Sequence, residues 1–198
     1  MELSEAIKTR RSIRKFKDIP VPKEVLEEVI ELALWAPSNY NMQGWYFVVV
    51  QRKKKDRIIA AMARHAETWV TNVKNLFPEK MVKIIQEFFA TMGGAPVIIF
   101  VYTDKTEQLL EYMPLDMEPG YPSACAAIQN LLLAAHDRGL GACWVAACCI
   151  IEDEINEILG IEEVRNKVMV AGIPLGYPDQ RPPAPPRQGN KVQWLGFE

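Results

Sequence analysis

Histidine is almost absent from this chain. His65 and His136 are its only two, so neither a Ser–His–Asp relay nor a zinc site of clustered His and Cys ligands is expected. The four cysteines, Cys125, Cys143, Cys148 and Cys149, form no C-x-x-C pair. They are expected as free thiols, with no vicinal disulfide between Cys148 and Cys149. No apolar run approaches the roughly 18 residues a membrane helix needs. Neither charge sign dominates: 23 basic and 25 acidic residues leave a net charge of −2, which gives no general reason to expect nucleic acid or an anionic membrane as partner. The first residues lack a basic stretch followed by an apolar core, so no secretory signal is expected and the cytoplasm is the expected compartment. The Gly-x-Gly-x-x-Gly fingerprint of a dinucleotide fold and internal repeats are missing too. An apolar fraction of 49% over 198 residues supports one packed domain, 1–198.

The polar residues that stand out fall into two clusters. The first is Arg10-Arg11-Ser12-Ile13-Arg14, directly after a short amphipathic segment. A guanidinium offers charge and paired N–H donors in one plane, which suits a phosphate. The simpler reading, that Arg10 and Arg11 complement a helix dipole, leaves the third arginine and the serine unexplained. The second cluster, Ser38-Asn39-Tyr40-Asn41-Met42-Gln43, interrupts an apolar stretch and suits a polar heterocycle or a sugar-like chain. Together they point to a bound nucleotide-type cofactor. Lys53-Lys54-Lys55 reads as a solvated helix start or loop.

Periodicity predicts a helix over 3–9 with Leu3, Ala6 and Ile7 on one face. Pro22 suits the first turn of a second helix carrying Val25, Leu26, Val29, Ile30 and Ala33, and Pro37 ends it. Residues 45–50 read as a buried strand. Helices are expected over 54–63 and 79–90, the latter with Met81, Ile84, Ile85, Phe88 and Phe89 as core. The mixed aromatic stretch 65–78 between them, with Trp69 and Phe77, is expected as a lid. Gly93-Gly94-Ala95-Pro96 is a breaker, and 97–103 a second buried strand. The segment 123–138 is apolar almost all round, so it must be buried all round, most easily with a partner subunit on one side. Gly139 and Gly141 end it; 142–147 and 167–173 read as strands and 152–159 as a helix. Pro178, Pro182, Pro183, Pro185 and Pro186 make an extended tail, whose apolar end 192–197 is expected to dock, with a partner subunit as one option.

Five motifs, R-R-S-I-R at 10–14, A-P-S-N-Y-N-M-Q-G-W at 36–45, A-A-I-Q-N-L-L-L-A-A at 126–135, G-L-G-A-C-W at 139–144 and G-Y-P at 176–178 before the proline-rich tail, give the chain a resemblance to the FMN-dependent nitroreductase family over essentially its full length. The resemblance implies an α+β fold of three α-β-α layers, with a central mixed or antiparallel sheet flanked by helices. It also implies a homodimer with FMN sites in the subunit interface, a lid at about 65–90 and a tail at about 178–198 that wraps onto the partner. It places Arg10, Arg11 and Ser12 at the FMN phosphate and ribityl chain, and Arg14 near the pyrimidine edge. Ser38, Asn39, Asn41 and Gln43 would come from the second subunit. Trp144, Val145, Ala146 and Ala147 would lie along the isoalloxazine ring near N5, and Arg187 would return to the phosphate. Tyr40 and Trp69 would line the substrate pocket.

The implied activity is ping-pong hydride transfer from NAD(P)H, through flavin N5, to a small nitroaromatic, quinone-like or similar electron-poor acceptor, with no side-chain catalyst and no metal. Two positions depart from the family pattern. Gly44 stands where many relatives have Pro, so the loop is expected to be freer, and Ala146 stands where some carry an acidic residue. Three alternatives stay open: a flavin-dependent reductive dehalogenase of aromatic amino acids, suggested by Trp69-Val70-Thr71-Asn72-Val73-Lys74; an oxygen-dependent branch that destroys flavin; and a non-enzymatic FMN-binding protein.

Overall fold

The computed structural model describes residues 1–73, 76, 78–105 and 119–197, without the side chains of residues 67–69, 72 and 73. The elements run α1 (Leu3–Thr9), α2 (Lys23–Leu34), β1 (Trp45–Gln51), α3 (Arg52–Val73), α4 (Glu79–Thr91), β2 (Val97–Asp104), α5 (Tyr121–Asp137), β3 (Gly141–Ala142), α6 (Glu152–Leu159) and β4 (Lys167–Gly176). Short 3₁₀ turns lie at Asn39–Asn41, Met92–Gly94, Ala146–Ile151 and Glu162–Val164.

The strands form one sheet in the order β1-β2-β4-β3. Every pairing of named strands is antiparallel, and among the described residues the parallel geometry that the sequence left open is confined to a bridge between Ser12 and Ala142. Alternation along β2 explains the three layers. Val97, Ile99 and Val101 face a core shared with α2 and α5, whereas Ile98, Phe100 and Tyr102 face one shared with α3, α4 and α6. A register shift at Val101/Tyr102 preserves both faces.

Several expectations change. β1 is an edge strand whose burial alternates, with Val49 exposed on its outer side, and it is not buried throughout. Pro22 caps α2 from outside the helix instead of occupying its first turn. The segment 65–78, expected as a lid, is helical as far as Val73, because Ile58, Met62, Ala66 and Val70 recur every four residues and continue one buried stripe; Lys74, Asn75 and Phe77 lie outside the described residues. Within its own chain α5 buries one side, with Ala124, Ala127, Ile128, Leu131 and Ala135 sealed between α2 and the sheet, while Cys125, Ala126 and Leu133 are only half-buried. On α1 only Ala6 is buried, and Leu3 and Ile7 are exposed. The strand expected at 142–147 shrinks to β3 and one further bridge, Val145 with Gly172, before the chain tightens into the Ala146–Ile151 turn. Beyond Pro178 the tail has no regular structure, and Trp194 and Phe197 meet edge to face while remaining exposed.

A polar network fixes α6 under the sheet. Tyr102 Oη donates to Asn156 Oδ1 (2.7 Å), and Glu152 Oε1 accepts from the Met169 N–H (2.9 Å). Burial raises the Glu152 carboxyl above its ordinary value, opposed by the Met169 bond. A raised acid contributes stability at low pH that is lost as pH rises through the folded-state titration. Glu152→Gln keeps an acceptor for Met169 and removes the charge. Its stability relative to the parent is expected to improve as pH rises past the ordinary carboxylate range, as read by urea midpoints across pH; the opposite trend would refute the assignment.

Candidate active site

The basic segment is stitched down on two sides. Arg10 ends α1, with its N–H bonded to Ala6 O (3.0 Å). Ser12 then bridges to Ala142, and the Ile13 N–H donates to Ala142 O (3.0 Å). The approach requires Gly141, since a Cβ there would lie 2.7 Å from Ile13 Cβ. Further on, the Phe16 N–H donates to Gly93 O (2.9 Å) and the Lys17 N–H to Tyr177 O (2.9 Å). Gly93 sits at φ +66°, and a Cβ on it would come within 2.2 Å of Arg14 O. The Gly93-Gly94 breaker is therefore the seat of the arginine segment.

This backbone distributes its side chains between two cavities. Arg10 and Arg11, with His136 and Arg181, line a cavity of about 360 Å³. Among the described residues, no aspartate or glutamate lines it. Burial, then the charges of Arg11 and Arg187, push the Arg10 guanidinium below its ordinary value; Arg187 itself is exposed and is not among the residues lining the cavity. Arg11 donates from Nη1 to Lys8 O (2.9 Å) and Arg10 O (2.7 Å), taking the helix-terminal role, while its buried Nε has no partner.

Arg14 lines the second cavity, of about 600 Å³, with Cys143, Trp144, Val145, Ala146 and Ala147. The other wall is α4, through Lys80, Met81, Ile84, Ile85, Phe88 and Phe89. That stripe, expected as core, thus faces a cavity; Phe88 and Phe89 are buried, whereas Met81 and Ile84 are exposed. Ala146 and Ala147 open a 3₁₀ turn that has no side-chain cap, so its leading N–H groups lack helical partners. The four cysteines are free. Burial pushes the Cys148 thiol up to about 12 and Cys149 up to about 11, and also raises Cys143, which keeps them protonated and poor nucleophiles at neutral pH. Among the described residues, no group of His, Cys, Asp and Glu is placed to hold a metal ion, and no helix is long and apolar enough to cross a membrane.

The 38–43 loop lies apart from both cavities. Tyr40, Asn41 and Gln43 all have positive φ (47°, 55° and 50°), an uncommon concentration for non-glycine residues. The bonds Asn41 N–H to Ser38 O (3.1 Å), Met42 N–H to Asn39 O (2.9 Å), Gln43 N–H to Ser38 Oγ (3.1 Å) and Asn39 N–H to Ser123 Oγ (3.1 Å) hold it. Tyr40 projects outward, 78% exposed. Gly44 does not free the loop: its carbonyl accepts from the Asp104 N–H (3.1 Å), and a Cβ there would meet Asp104 Oδ2 at 2.9 Å. Trp69 falls within α3, with its side chain outside the described residues. Sequence reasoning missed His136, Arg181 and Lys80. The first two become visible only when α5 and the tail are folded against α1, and Lys80 carries no motif.

Comparison with known proteins accords with this geometry. The model of the nitroreductase family matches residues 7–177. A Methanothermobacter thermautotrophicus protein carrying the provisional name NADH dehydrogenase/NAD(P)H nitroreductase is 32% identical, over 92% of this chain and 80% of its own. The iodotyrosine deiodinase of Thermotoga neapolitana is 30% identical over 98% of both chains. The crystal structure of a provisional nitroreductase from Desulfovibrio desulfuricans in complex with FMN is 28% identical and superposes with a TM-score of 0.71, covering 98% of this chain and 97% of that one. Matched by the family's model over most of its length and by relatives at 30% identity or above, this chain belongs to the nitroreductase family.

Proposed function

We propose that the protein is an FMN-dependent oxidoreductase that uses NAD(P)H to reduce electron-poor organic acceptors such as nitroaromatics or quinones. The observation that carries this reading is one chain segment placing arginines in two adjoining environments, a cation-rich cavity and a large apolar one. The residues fit FMN. The buried Arg11 Nε lacks a partner, and the charges of Arg11 and Arg187 both act on Arg10, so an anion among them would be favoured. The name of the D. desulfuricans structure includes FMN, and that of the M. thermautotrophicus relative includes NAD(P)H.

Arg10, Arg11, Ser12 and Arg187 would hold the phosphate end, and Trp144, Val145, Ala146 and Ala147 the ring. When bound, FMN supplies two-electron transfer between the nicotinamide and the acceptor. Arg14 sets a positive charge at the ring cavity, favouring negative charge there. The aliphatic and aromatic face of α4 excludes water and offers a planar acceptor an apolar wall. One cavity serves donor and acceptor in turn, which supports a ping-pong order. The 38–43 loop, remote from both cavities of its own chain, and the exposed apolar tail support a homodimer in which both reach the partner.

The test is direct. Purified protein is expected to be yellow, to release FMN on denaturation, and to oxidise NADH or NADPH when a nitroaromatic or quinone is supplied. Colourless protein that cannot be reconstituted would sink the reading, and tightly bound flavin that neither nicotinamide reduces would leave a binding protein. Reductive dehalogenation of an aromatic amino acid is the second reading, favoured by the match to the deiodinase. Among the described residues, however, no carboxylate lines the large cavity to receive an ammonium group. Turnover of a halotyrosine decides it.

A further inference from the structure

We propose that His136 is a further member of the phosphate grip, taking up a proton at Nδ1 when the phosphate of FMN enters the cavity it shares with Arg10, Arg11 and Arg181. The inference rests on the FMN reading and extends it to a residue outside the arginine motif. His136 lies near the C-terminal end of α5 and lines the 360 Å³ cavity. Its Nε2 is 2.9 Å from Thr9 Oγ1. The Thr9 hydroxyl has one proton and donates it to Glu5 O (2.7 Å), a bond back along its own helix. The hydroxyl oxygen therefore accepts, and His136 donates from Nε2–H. In the tautomer so assigned, Nδ1 is the place for a second proton, and protonation keeps the Thr9 bond.

The surrounding charges set the direction. Arg10 and Arg11 face the imidazole from the end of α1, and Arg181 lines the cavity from the tail. On the acidic side stand Glu5 from α1 and Asp137 beside it on α5. Asp137 is itself engaged by the Met1 amino group at 2.6 Å and by Arg138. Burial, then Arg10 and Arg11, hold the imidazole below its ordinary value against those two carboxylates. A phosphate among the arginines reverses the local sign and favours the imidazolium. Binding then takes up a proton, and by linkage FMN binds more tightly as pH falls through the imidazole range. The phosphate, whose second proton also titrates near pH 6, opposes this at the acid end, so a variant must serve as the reference.

The experiment measures FMN affinity by flavin fluorescence from about pH 6 to pH 8 for the parent and His136→Gln, with riboflavin as the ligand lacking phosphate. The affinity ratio of parent to variant is expected to grow by roughly threefold to fivefold from pH 8 to pH 6 for FMN, as a one-unit rise of the imidazole pKa on binding gives in that range, and to stay flat for riboflavin. A parallel readout needs no variant at the site. NMR titration of the two imidazoles should show His136 moving up on FMN addition while His65, held by Glu154 on the far surface, does not. A pH-independent ratio, an equal trend with riboflavin, or an unmoved His136 titration overturns the proposal while FMN binding stands. Failure to bind FMN at any pH overturns both readings.

Discussion

Arg10→Ala is expected to raise the dissociation constant for FMN by roughly tenfold to a hundredfold, because a hydrogen bond to a charged group contributes about 1.5–3 kcal/mol. The same protein without flavin should be no less stable than the parent. Burial and the charges of Arg11 and Arg187 already press on Arg10, so removing its charge relieves a strain that only an anion can offset. The combination of weaker ligand binding with unimpaired flavin-free stability separates an anion-binding arginine from a helix cap or a structural ion pair, whose loss would lower both. Arg187→Ala should act in the same direction with a smaller effect, since Arg187 is exposed and its charge is screened. Equilibrium titration with FMN at two salt concentrations checks both; unchanged affinity in the two variants would remove the phosphate assignment.

The second large effect is expected from one methyl group. In Gly93→Ala the new Cβ meets the Arg14 carbonyl carbon and oxygen at 2.7 and 2.2 Å, both backbone atoms that no rotamer change can move, at a φ of +66°. A left-handed conformation outside glycine costs about 1 kcal/mol, and overpacking typically adds about 1–3 kcal/mol. Unfolding free energy should therefore drop by roughly 2–4 kcal/mol, with Arg14 displaced from the ring cavity and FMN affinity lowered along with it. Gly189→Ala, where a Cβ meets nothing and φ is ordinary, should be neutral. Chemical denaturation of the three proteins reads the difference, and a Gly93→Ala variant as stable as the parent would show that the 14–16 segment yields easily.

Much of the layering was legible in the chain. The 152–159 helix was visible because acids in its first turn, Ile155 and Leu159 on one face and Gly160 past its end all agree. The arginine segment and the 38–43 loop stood out because each places polar residues where burial alone would not. Other features were hidden for physical reasons. A stripe such as Met81, Ile84, Ile85, Phe88 and Phe89 states that it needs an apolar neighbour, not whether that neighbour is protein or a ligand. The β-branched Val70, Thr71 and Val73, with Asn72 among them, argue locally against the helix that the Ile58-to-Val70 stripe imposes. The residues 142–147 are strand-like in composition, but on that side β4 takes Gly141 and Ala142 into its regular ladder and then only Val145 in an isolated bridge. Gly93 signalled a turn, whereas its closeness to Arg14 is a tertiary fact. His136 and Arg10 are far apart in sequence and meet because α1 crosses the end of α5.

The short stretch from Arg10 to Arg14 is pinned at Ala142 on one side and at Gly93 on the other, and four residues reach at most roughly 14 Å. On the FMN reading it would work as a ruler: a small anion at one end, a planar ring at the other, and full occupancy only for molecules whose charged tail and planar head are separated by the span the backbone dictates.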